Sequence, residues 1–415
     1  MIDGHPLAPP PVNHTAPVPR RIRAVLDGHI VVDMTSALYA RECSHYPQYY
    51  IPVDDIDPAV LVDEQHEQKF SRGTALQVGE IARAAALLVY GDDASRQSGL
   101  HDSLLLHIFR GETMSKFDAQ FAGRLDGQTV LVTGAKGGIG YETAQGIGNC
   151  GATVLVHARR ADDARRAVDL LGTNGNGNGR YLAVAGDLGS LAGVRELVGA
   201  VHEAAPKGLN GLVNNAGAAF SSKALSPDGY ERTIAINHVA LAALTDGLLD
   251  LLRKGADDFA APSRVVNMTA LIESRGKPIT DWSYPGKYKQ IQAYADAKLL
   301  ALMYTYAQAR RHESDGLTFN AVSPGAVKTS LGSKAGGPFK TIQALTNPFV
   351  GPPEKGSRGC VRLMADPELA TATGGYYSSA KLKKSSKKSL DPEVQERIYA
   401  QTERELRIHK RFSRH

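Results

Sequence analysis

Strand-length apolar runs alternate with longer amphipathic stretches along the C-terminal two thirds of the chain. Six such runs occupy residues 129–132, 153–157, 181–185, 211–213, 264–268 and 318–322. Each run ends at a turn-forming or polar residue and precedes a stretch with helical character, as expected of repeated βα units. The pattern therefore predicts an α/β domain with a doubly wound parallel sheet, which binds ligands beyond the carboxyl ends of its strands.

The N-terminal part of the chain has a different pattern. Two β-branched runs at 22–26 and 29–33 flank Asp27-Gly28, a dipeptide that suits a tight hairpin because both turn positions need positive φ. Short apolar runs without a helical period follow as far as residue 109. We therefore predict a small mainly-β domain over 21–118, after a disordered Pro-rich tail over 1–20. A linker over 119–126 is expected to join it to the α/β domain over 127–412.

Composition and charge narrow the class of protein. Apolar residues make up 42% and charged residues 22% of the 415 residues, which is ordinary for a globular protein. A net charge of +5 is too small an excess to argue for nucleic-acid binding, and the five lysines within 381–388 are expected to form an exposed loop. Cys43, Cys150 and Cys360 match no metal or disulfide spacing, and no apolar run approaches the roughly 18–20 residues that cross a bilayer. These observations predict a soluble cytoplasmic protein with reduced thiols, no metal and no membrane span.

A glycine-rich turn follows the first predicted strand of the α/β domain. Gly134, Gly138 and Gly140 would let the backbone approach a pyrophosphate, and a helix is predicted to begin near Ile139. Their Gly-x-x-x-Gly-x-Gly spacing differs from the Gly-x-Gly-x-x-Gly of the commonest dinucleotide fingerprint. Taken alone, this turn is consistent with either a nucleotide site or a structural turn.

The residues after the second predicted strand bear on which dinucleotide would bind. An acidic residue there would bond the ribose 2′-hydroxyl of NAD, but the sequence has His157, Ala158, Arg159 and Arg160 in its place. The guanidinium of Arg159 offers a planar fork for a 2′-phosphate, and Lys136 in the glycine loop could add a second positive charge. The sequence therefore predicts NADP(H) as the cofactor.

Tyr294 and Lys298 form a candidate catalytic pair. Residues four apart lie on one face of a helix, so both side chains point the same way. A nearby ammonium favours a phenolate and is expected to lower the pKa of the tyrosine. Tyr294 would then act as a general acid in carbonyl reduction or as a base in alcohol oxidation.

Four motifs in a fixed order give a resemblance to a known family. Residues 133–140 (Thr-Gly-Ala-Lys-Gly-Gly-Ile-Gly), 214–217 (Asn-Asn-Ala-Gly), 294–298 (Tyr-Ala-Asp-Ala-Lys) and the Pro324-Gly325 pair follow one another as in short-chain dehydrogenases/reductases. The resemblance covers about 127–410 and implies a Rossmann-type fold and an oxidoreductase. Residues 228–231 (Asp-Gly-Tyr-Glu) and 236–238 (Ile-Asn-His) resemble the branch of retinol dehydrogenases and the WW-domain oxidoreductase.

The resemblance implies roles for further residues. Lys298 would also bind the nicotinamide ribose, and Asn237 would hold a water that relays a proton behind the lysine. Asn214 is expected to be structural. The cofactor contacts that the resemblance implies lie in the loops after the third, fourth and sixth strands, at Asp187, Leu188, Asn215, Ala216, Gly217, Pro324, Gly325, Val327 and Thr329.

One position departs from the family pattern. The family has Asn-x-Ser-Ser at the end of the fifth strand, and its second serine orients the substrate carbonyl, whereas this chain has Asn267, Met268, Thr269 and Ala270. Thr269 is one residue early and would point to the opposite face of a regular strand. Thr269, Ser274 from the next loop, or a water would have to replace the serine, and Thr269 is taken as the catalytic candidate. Loss of one such donor lowers a rate by about 10²–10³.

The predicted β domain resembles a small all-β family of unknown function, number 427. The resemblance rests on the basic hairpin, on residues 47–52 (Pro-Gln-Tyr-Tyr-Ile-Pro) and on Gly73-Thr-Ala75. It implies a β fold and no known reaction. His29, His45 and Glu42 are scattered residues and are not expected to bind a metal.

The sequence therefore predicts an NADP(H)-dependent oxidoreductase that moves hydride between nicotinamide and a carbonyl or alcohol carbon. The expected substrate is an apolar aldehyde, ketone or alcohol, flanked by the aromatic-rich segments 272–292 and 331–350. Two alternatives follow from Ala270: a catalytically weak NADP(H)-binding sensor or scaffold, and a reductase of an activated C=C bond. The β domain could instead dock a bulky or carrier-bound substrate, and a homodimer is expected.

Overall fold

The structure is a computed structural model, and it describes the strands of the first 113 residues together with residues 116–174, 180–325 and 352–412. The chain forms two units, Met1–Thr113 and Met114–His415. The predicted cofactor residues Val327 and Thr329 and the aromatic residues Phe339 and Phe349 lie outside the described residues.

The strands described in the N-terminal unit pair in antiparallel fashion. They are β1 (His14–Pro17), β2 (Ile22–Leu26), β3 (His29–Met34), β4 (Leu38–Cys43), β5 (Tyr46–Pro52), β6 (Asp63–Phe70), β7 (Gly73–Val78), β8 (Leu87–Gly91) and β9 (Ser103–Leu106). Seven form a sheet in the order β1-β4-β5-β9-β8-β7-β6, and β2 pairs with β3. The mainly-β prediction is confirmed, and so is the hairpin whose strands flank Asp27-Gly28.

Strand β1 lies within the segment for which the sequence predicts a disordered tail. It pairs with β4, from His14 opposite Arg41 to Pro17 opposite Leu38, at the edge of the sheet. A proline is tolerated on an edge strand because it need not donate to a second neighbour. Residues 14–17 are thus ordered by main-chain pairing, which a search for side-chain alternation does not detect.

The sheet of the second unit has eight strands. They are β10 (Thr129–Val132), β11 (Thr153–Ala158), β12 (Arg180–Ala185), β13 (Gly211–Asn214), β14 (Ser263–Met268), β15 (Leu317–Ser323), β16 (Tyr376–Ser378) and β17 (Lys381–Lys383). Their order is β12-β11-β10-β13-β14-β15-β16-β17, parallel up to β16 and antiparallel at β17. The predicted doubly wound α/β fold and its six predicted strands are confirmed.

The helices of this unit lie between the strands in the chain. They are α1 (Lys116–Ala119), α2 (Gly138–Asn149), α3 (Ala161–Asn174), α4 (Leu191–Ala204), α5 (Arg232–Ile234), α6 (Ala240–Gly247), α7 (Leu249–Phe259), α8 (Gln290–Arg311), α9 (Pro353–Ala365) and α10 (Pro392–Phe412). A π-helical turn over Ala235–Val239 joins α5 to α6, and a 3₁₀ turn over Leu271–Arg275 follows β14. Among these described helices none is long and apolar enough to cross a membrane alone. The pair Arg232–Gly247 and Leu249–Phe259, bent by 53°, passes that test by length and composition.

Two segments of the second unit differ from what the sequence predicts for them. The lysine-rich segment 381–388, predicted as a loop, contains β17 and enters the 3₁₀ turn Lys387–Leu390, although its lysines are exposed as expected. The predicted linker 119–126 packs onto the α/β core through Phe121 and Leu125. Strands β16 and β17 have three residues each, which is too short for a periodic pattern to show.

The core lies on both faces of the parallel sheet. Val130 and Val132 of β10 face one cluster, which includes residues of α2 and α9. Leu131, between them, faces a second cluster with residues of α4, α6 and α7. Successive side chains of a strand point to opposite faces, so a strand covered on both sides must be apolar at every position. This explains the continuous apolar runs by which the strands are recognised.

A buried chain of polar side chains fixes the carboxyl ends of β13 and β14 relative to α8. Asn214 Nδ2 donates to Asn267 Oδ1 at 2.8 Å, and Asn267 Nδ2 donates to Thr305 Oγ1 on α8 at 2.9 Å. The contacts agree with the structural role expected for Asn214. Because α8 also carries Tyr294 and Lys298, these bonds help to set the distance between that pair and the sheet.

His238 is a buried imidazole between the core and α10. The hydroxyl hydrogen of Thr402 is donated to Ile398 O. Thr402 Oγ1 therefore accepts the hydrogen bond from His238 Nε2, which lies 3.0 Å away. The ring packs edge-on against Trp282, with 4.8 Å between ring centroids. Burial lowers the pKa of His238 to about 3, because the charged ring would lose its hydration.

This arrangement predicts that the protein loses stability in mild acid. The unfolded chain binds a proton at His238 below about pH 6.5, whereas the folded chain does not until near pH 3, so the free energy of unfolding falls as the pH drops. Between pH 6.5 and 5 this residue removes about 2 kcal/mol. Urea unfolding of wild type and of His238→Phe at pH 7 and pH 5 checks this prediction. The variant has no imidazole at 238, so its free energy of unfolding should fall less between the two pH values. Equal losses in the two proteins would contradict it.

Candidate active site

A cleft of about 790 Å³ lies at the carboxyl ends of the parallel strands. Ligands of doubly wound sheets bind at this edge. It brings together fourteen of the predicted residues, Gly134, Gly138, Ile139, Gly140, Arg159, Asp187, Asn215, Ala216, Gly217, Thr269, Tyr294, Lys298, Pro324 and Gly325. Lys136, Leu188 and Asn237 are described but do not line the cleft, and Leu188 packs against the core cluster of β12 and α4.

The glycine loop forms one wall of the cleft with its backbone. Gly134 and Gly138 have φ of +66° and +60°, which favours glycine. A Cβ on Gly140 would lie 2.4 Å from Gly134 O and 2.4 Å from Asn215 Nδ2. Asn215 Nδ2 in turn donates to Thr133 O at 2.8 Å. Asn215 therefore braces the loop from the end of β13, and the open backbone before α2 suits a pyrophosphate.

His157 is a positioning residue that the sequence did not single out. Its Nδ1 lies 3.1 Å from Gly134 N and accepts that bond, so Nε2 carries the proton and donates to Gly186 O at 2.9 Å. The side chain thereby connects the ends of β10, β11 and β12. Burial lowers the pKa of His157, which keeps the ring neutral and Nδ1 free to accept. A histidine inside the otherwise apolar run of β11 is the only sequence signal for this role.

The two cations predicted to favour NADP(H) behave differently. Arg159 is exposed in the cleft, and no hydrogen bond or ion pair joins it to another described residue. Lys136 Nζ instead lies 3.1 Å from Asp163 Oδ2 on the first turn of α3. Hydrogen bonds from Lys136 and Arg166 lower the pKa of Asp163. Arg159 is thus available for a phosphate, while the charge of Lys136 is largely paired.

Tyr294 and Lys298 lie on one face of α8, as their spacing predicts. Lys298 is 2% exposed, and its Nζ donates to Met268 O at 2.8 Å. Burial lowers the pKa of Lys298 to about 7 and raises that of Tyr294 above its ordinary value. The predicted lowering of the tyrosine pKa is therefore not what this arrangement gives. Nζ lies 5.7 Å from the phenol ring centre, and an amine with a pKa near 7 carries only part of a charge at neutral pH.

Asn237 lies behind this pair, in the π-helical turn. Its Nδ2 donates to Ala218 O at 2.6 Å and to Thr233 O at 2.7 Å, whereas Oδ1 is buried and has no hydrogen-bond partner among the described residues. A Cβ on Gly217 would lie 2.8 Å from Oδ1 and 3.5 Å from Lys298 Nζ. An acceptor and an amine therefore face the same small space, which is suited to a bridging water.

Ala270 occupies the position beside Tyr294 where the family pattern has a serine. Its methyl group packs with Tyr294 and Ala219. Thr269 lines the cleft, but its Oγ1 donates to Lys298 O at 3.3 Å. Ser274 is exposed, donates to Leu271 O and does not line the cleft. The hydroxyl of Thr269 is thus engaged with the backbone of α8, and that of Ser274 lies elsewhere.

The three predicted pocket aromatics that the structure describes lie away from the cleft. Trp282 packs with Tyr230 and His238, and Tyr284 OH bonds Asp296. Tyr288 OH donates to Phe220 O. These three aromatic residues of 272–292 do not line the cleft, because they secure the segment before α8. Within the described parts of the chain, the apolar wall is formed by Ala219, Phe220, Leu225, Ile236, Met268 and Ile272.

Comparison with known proteins agrees with this geometry. Residues 128–337, half of the chain, match the family model described as short chain dehydrogenase. Human retinol dehydrogenase 13 is 31% identical over 294 residues, covering 68% of this chain and 85% of that protein. The chloroplastic short-chain dehydrogenase TIC 32 B of Brassica napus is 28% identical, covering 65% and 86% respectively. The solved RhlG/NADP active-site complex of Pseudomonas aeruginosa, 25% identical, gives a TM-score of 0.50 and covers 66% of this chain and 98% of that chain.

The N-terminal unit has a match of its own. Residues 14–76 match the family model described as a domain of unknown function, DUF427, which confirms the resemblance predicted from the sequence. For the larger unit, the ordered motifs, the strand order and the family match agree. The chain belongs to the short-chain dehydrogenase family of oxidoreductases.

Proposed function

We propose that the protein is an NADP(H)-dependent oxidoreductase acting on a carbonyl or alcohol carbon of a largely apolar substrate. The observation that carries the proposal is one cleft that joins Arg159, after β11, to a buried Tyr294–Lys298 pair on α8, and no other described residue pairs with the Arg159 guanidinium. Between them the glycine loop offers a backbone cradle that a Cβ would fill. The residues present therefore fit a dinucleotide with a 2′-phosphate.

The side chains around Tyr294 supply the proton chemistry. The nicotinamide, when bound, supplies or accepts the hydride. Tyr294 holds its proton at neutral pH and can donate it to a carbonyl oxygen in the direction of reduction. Lys298, with a pKa near 7, can give and take a proton at that pH. Asn237 Oδ1 would hold the water that returns the proton to this pair.

The substrate class follows from the wall of the cleft. Ala219 and Ile272 offer apolar surface beside Tyr294, and Leu225 lines the same cleft, which suits an apolar aldehyde, ketone or alcohol. The relative named retinol dehydrogenase 13 fits this class. A cytoplasmic location, a homodimer and a docking role of the N-terminal unit stay predictions of the sequence.

Ala270 favours a second candidate function. Without a hydroxyl beside Tyr294, carbonyl reduction lacks one donor, so the chain could bind NADP(H) as a sensor or scaffold. Reduction of an activated C=C bond would depend less on that donor. Binding of NADPH without turnover on a broad carbonyl panel would favour the sensor.

Cofactor preference is tested by fluorescence titration with NADPH and NADH. Arg159→Glu should weaken NADPH binding by about 10- to 100-fold and leave NADH binding less affected, because it replaces the phosphate ligand with a negative charge. Arg160→Glu is the matched control, since Arg160 is exposed but does not line the cleft. Similar losses in both variants, or no binding by wild type, would contradict the proposal.

The missing hydroxyl is tested by restoring it. Ala270→Ser should raise kcat/KM for carbonyl reduction by about tenfold or more, because a donor then lies beside Tyr294. Ala270→Cys, of similar size with a weak donor, should raise it much less. Thr269→Val should change it little, since that hydroxyl already bonds Lys298 O. A loss of about 10²-fold or more in Thr269→Val would show instead that Thr269 replaces the serine.

A further inference from the structure

Arg232 is a second exposed cation in the cleft, besides Arg159, and the proposed chemistry does not use it. It is the first residue of α5, is exposed, and lines the cleft. Its guanidinium carbon lies 3.9 Å from the ring centre of Phe220, which also lines the cleft. No hydrogen bond or ion pair joins the Arg232 side chain to another residue in the described parts of the chain.

The carboxylate next to Arg232 in the sequence is already engaged. Glu231 is fully buried and accepts bonds from Thr233 N, Thr233 Oγ1 and Ile234 N. Its main chain pairs with Leu225, and Arg232 N donates to Ala224 O, so the backbone at this point is held in place. Glu231 caps α5, and the positive charge of Arg232 is left facing the cleft.

Arg232 stacks on Phe220, and the preceding residue, Ala219, packs against Tyr294. Phe220 O accepts from Tyr288 OH at 2.8 Å, and Tyr288 lies two residues before α8. Arg159, by contrast, follows β11. The one carboxylate among the described lining residues, Asp187, follows β12 and accepts from Gly189 N. Arg232 is thus a cation separate from Arg159, which is assigned to the cofactor phosphate.

We propose that Arg232 binds an anionic group of the substrate, a carboxylate or a phosphate, while the reacting carbon lies at Tyr294. A guanidinium stacked on an aromatic ring is held in orientation and keeps its N–H edge for two parallel bonds to an anion. With the apolar wall between them, Arg232 and Tyr294 select a carbonyl compound that has an apolar chain and an acidic end. The inference rests on the proposed function, because it assigns the substrate of the same site.

The test uses matched carbonyl compounds that differ in charge. NADPH oxidation by the full chain is followed with unbranched ω-oxo carboxylic acids of six to twelve carbons, their methyl esters and the corresponding ω-oxoalkyl phosphates. For the best chain length, kcat/KM of an anionic substrate should exceed that of the ester by about tenfold or more, mainly through KM. The acid and phosphate series distinguish the two anions.

Variants assign the preference to Arg232. Arg232→Gln should bring the ratio of anion to ester close to one, and Arg232→Lys should retain part of it. Arg195→Gln is the matched control, because Arg195 is exposed on α4 and does not line the cleft, and it should keep the wild-type ratio.

Three results would overturn the inference. Turnover with equal kcat/KM for anions and esters would overturn it while leaving the proposed function standing. A rise in the Kd of NADPH in Arg232→Gln as large as the loss of substrate preference would place Arg232 in the nucleotide site instead. An absence of NADPH oxidation with all three series would overturn this inference, and the same absence with a broad panel of other carbonyl compounds would overturn the proposed function as well.

Discussion

The buried amine of Lys298 is the constraint on which the rest of the site depends. Removing an ammonium from water is unfavourable unless polar groups replace its hydration, and here Met268 O is the hydrogen-bond acceptor at 2.8 Å. The amine requires the carboxyl end of β14 beneath α8, and Asn237 faces the same space from the π-helical turn. A glycine at 217 keeps a Cβ from lying 2.8 Å from Asn237 Oδ1. As a consequence of this burial the pKa of Lys298 is near 7, so the amine can both accept and donate a proton at neutral pH.

The distribution of charge along the cleft extends this picture. Two guanidinium groups line it, Arg159 and Arg232, together with the amine of Lys298, against one carboxylate, Asp187, among the described residues. Lys298 is buried, whereas the two guanidinium groups are exposed and face the cleft. Neither guanidinium forms an ion pair with another residue that the structure describes. Such a surface attracts anions and repels cations. The cleft is therefore built for a phosphorylated cofactor and for a partner molecule with an acidic end.

The sequence predicts those features that are repeated or closely spaced. Strands buried on both faces appear as apolar runs, and the i, i+4 spacing is enough to put Tyr294 and Lys298 on one helix face. Contacts between residues distant in the chain are not predicted in this way. The bond from Gly134 N to His157 joins positions 23 apart, and Trp282 contacts His238 and does not line the cleft. The direction of the Tyr294 pKa shift likewise depends on burial, which spacing does not give.

The most direct test of the account follows the hydrogen that is transferred. NADPH deuterated at the reactive C4 position is mixed with the protein and an aldehyde that supports NADPH oxidation, and the alcohol is examined by mass spectrometry. The account predicts one deuterium on the carbinol carbon with wild type and none above background with Tyr294→Phe, although that variant still binds NADPH. Binding of NADPH without deuterium in any product, or equal transfer by Tyr294→Phe, would contradict the claim that this cleft reduces carbonyl groups with Tyr294 as the acid.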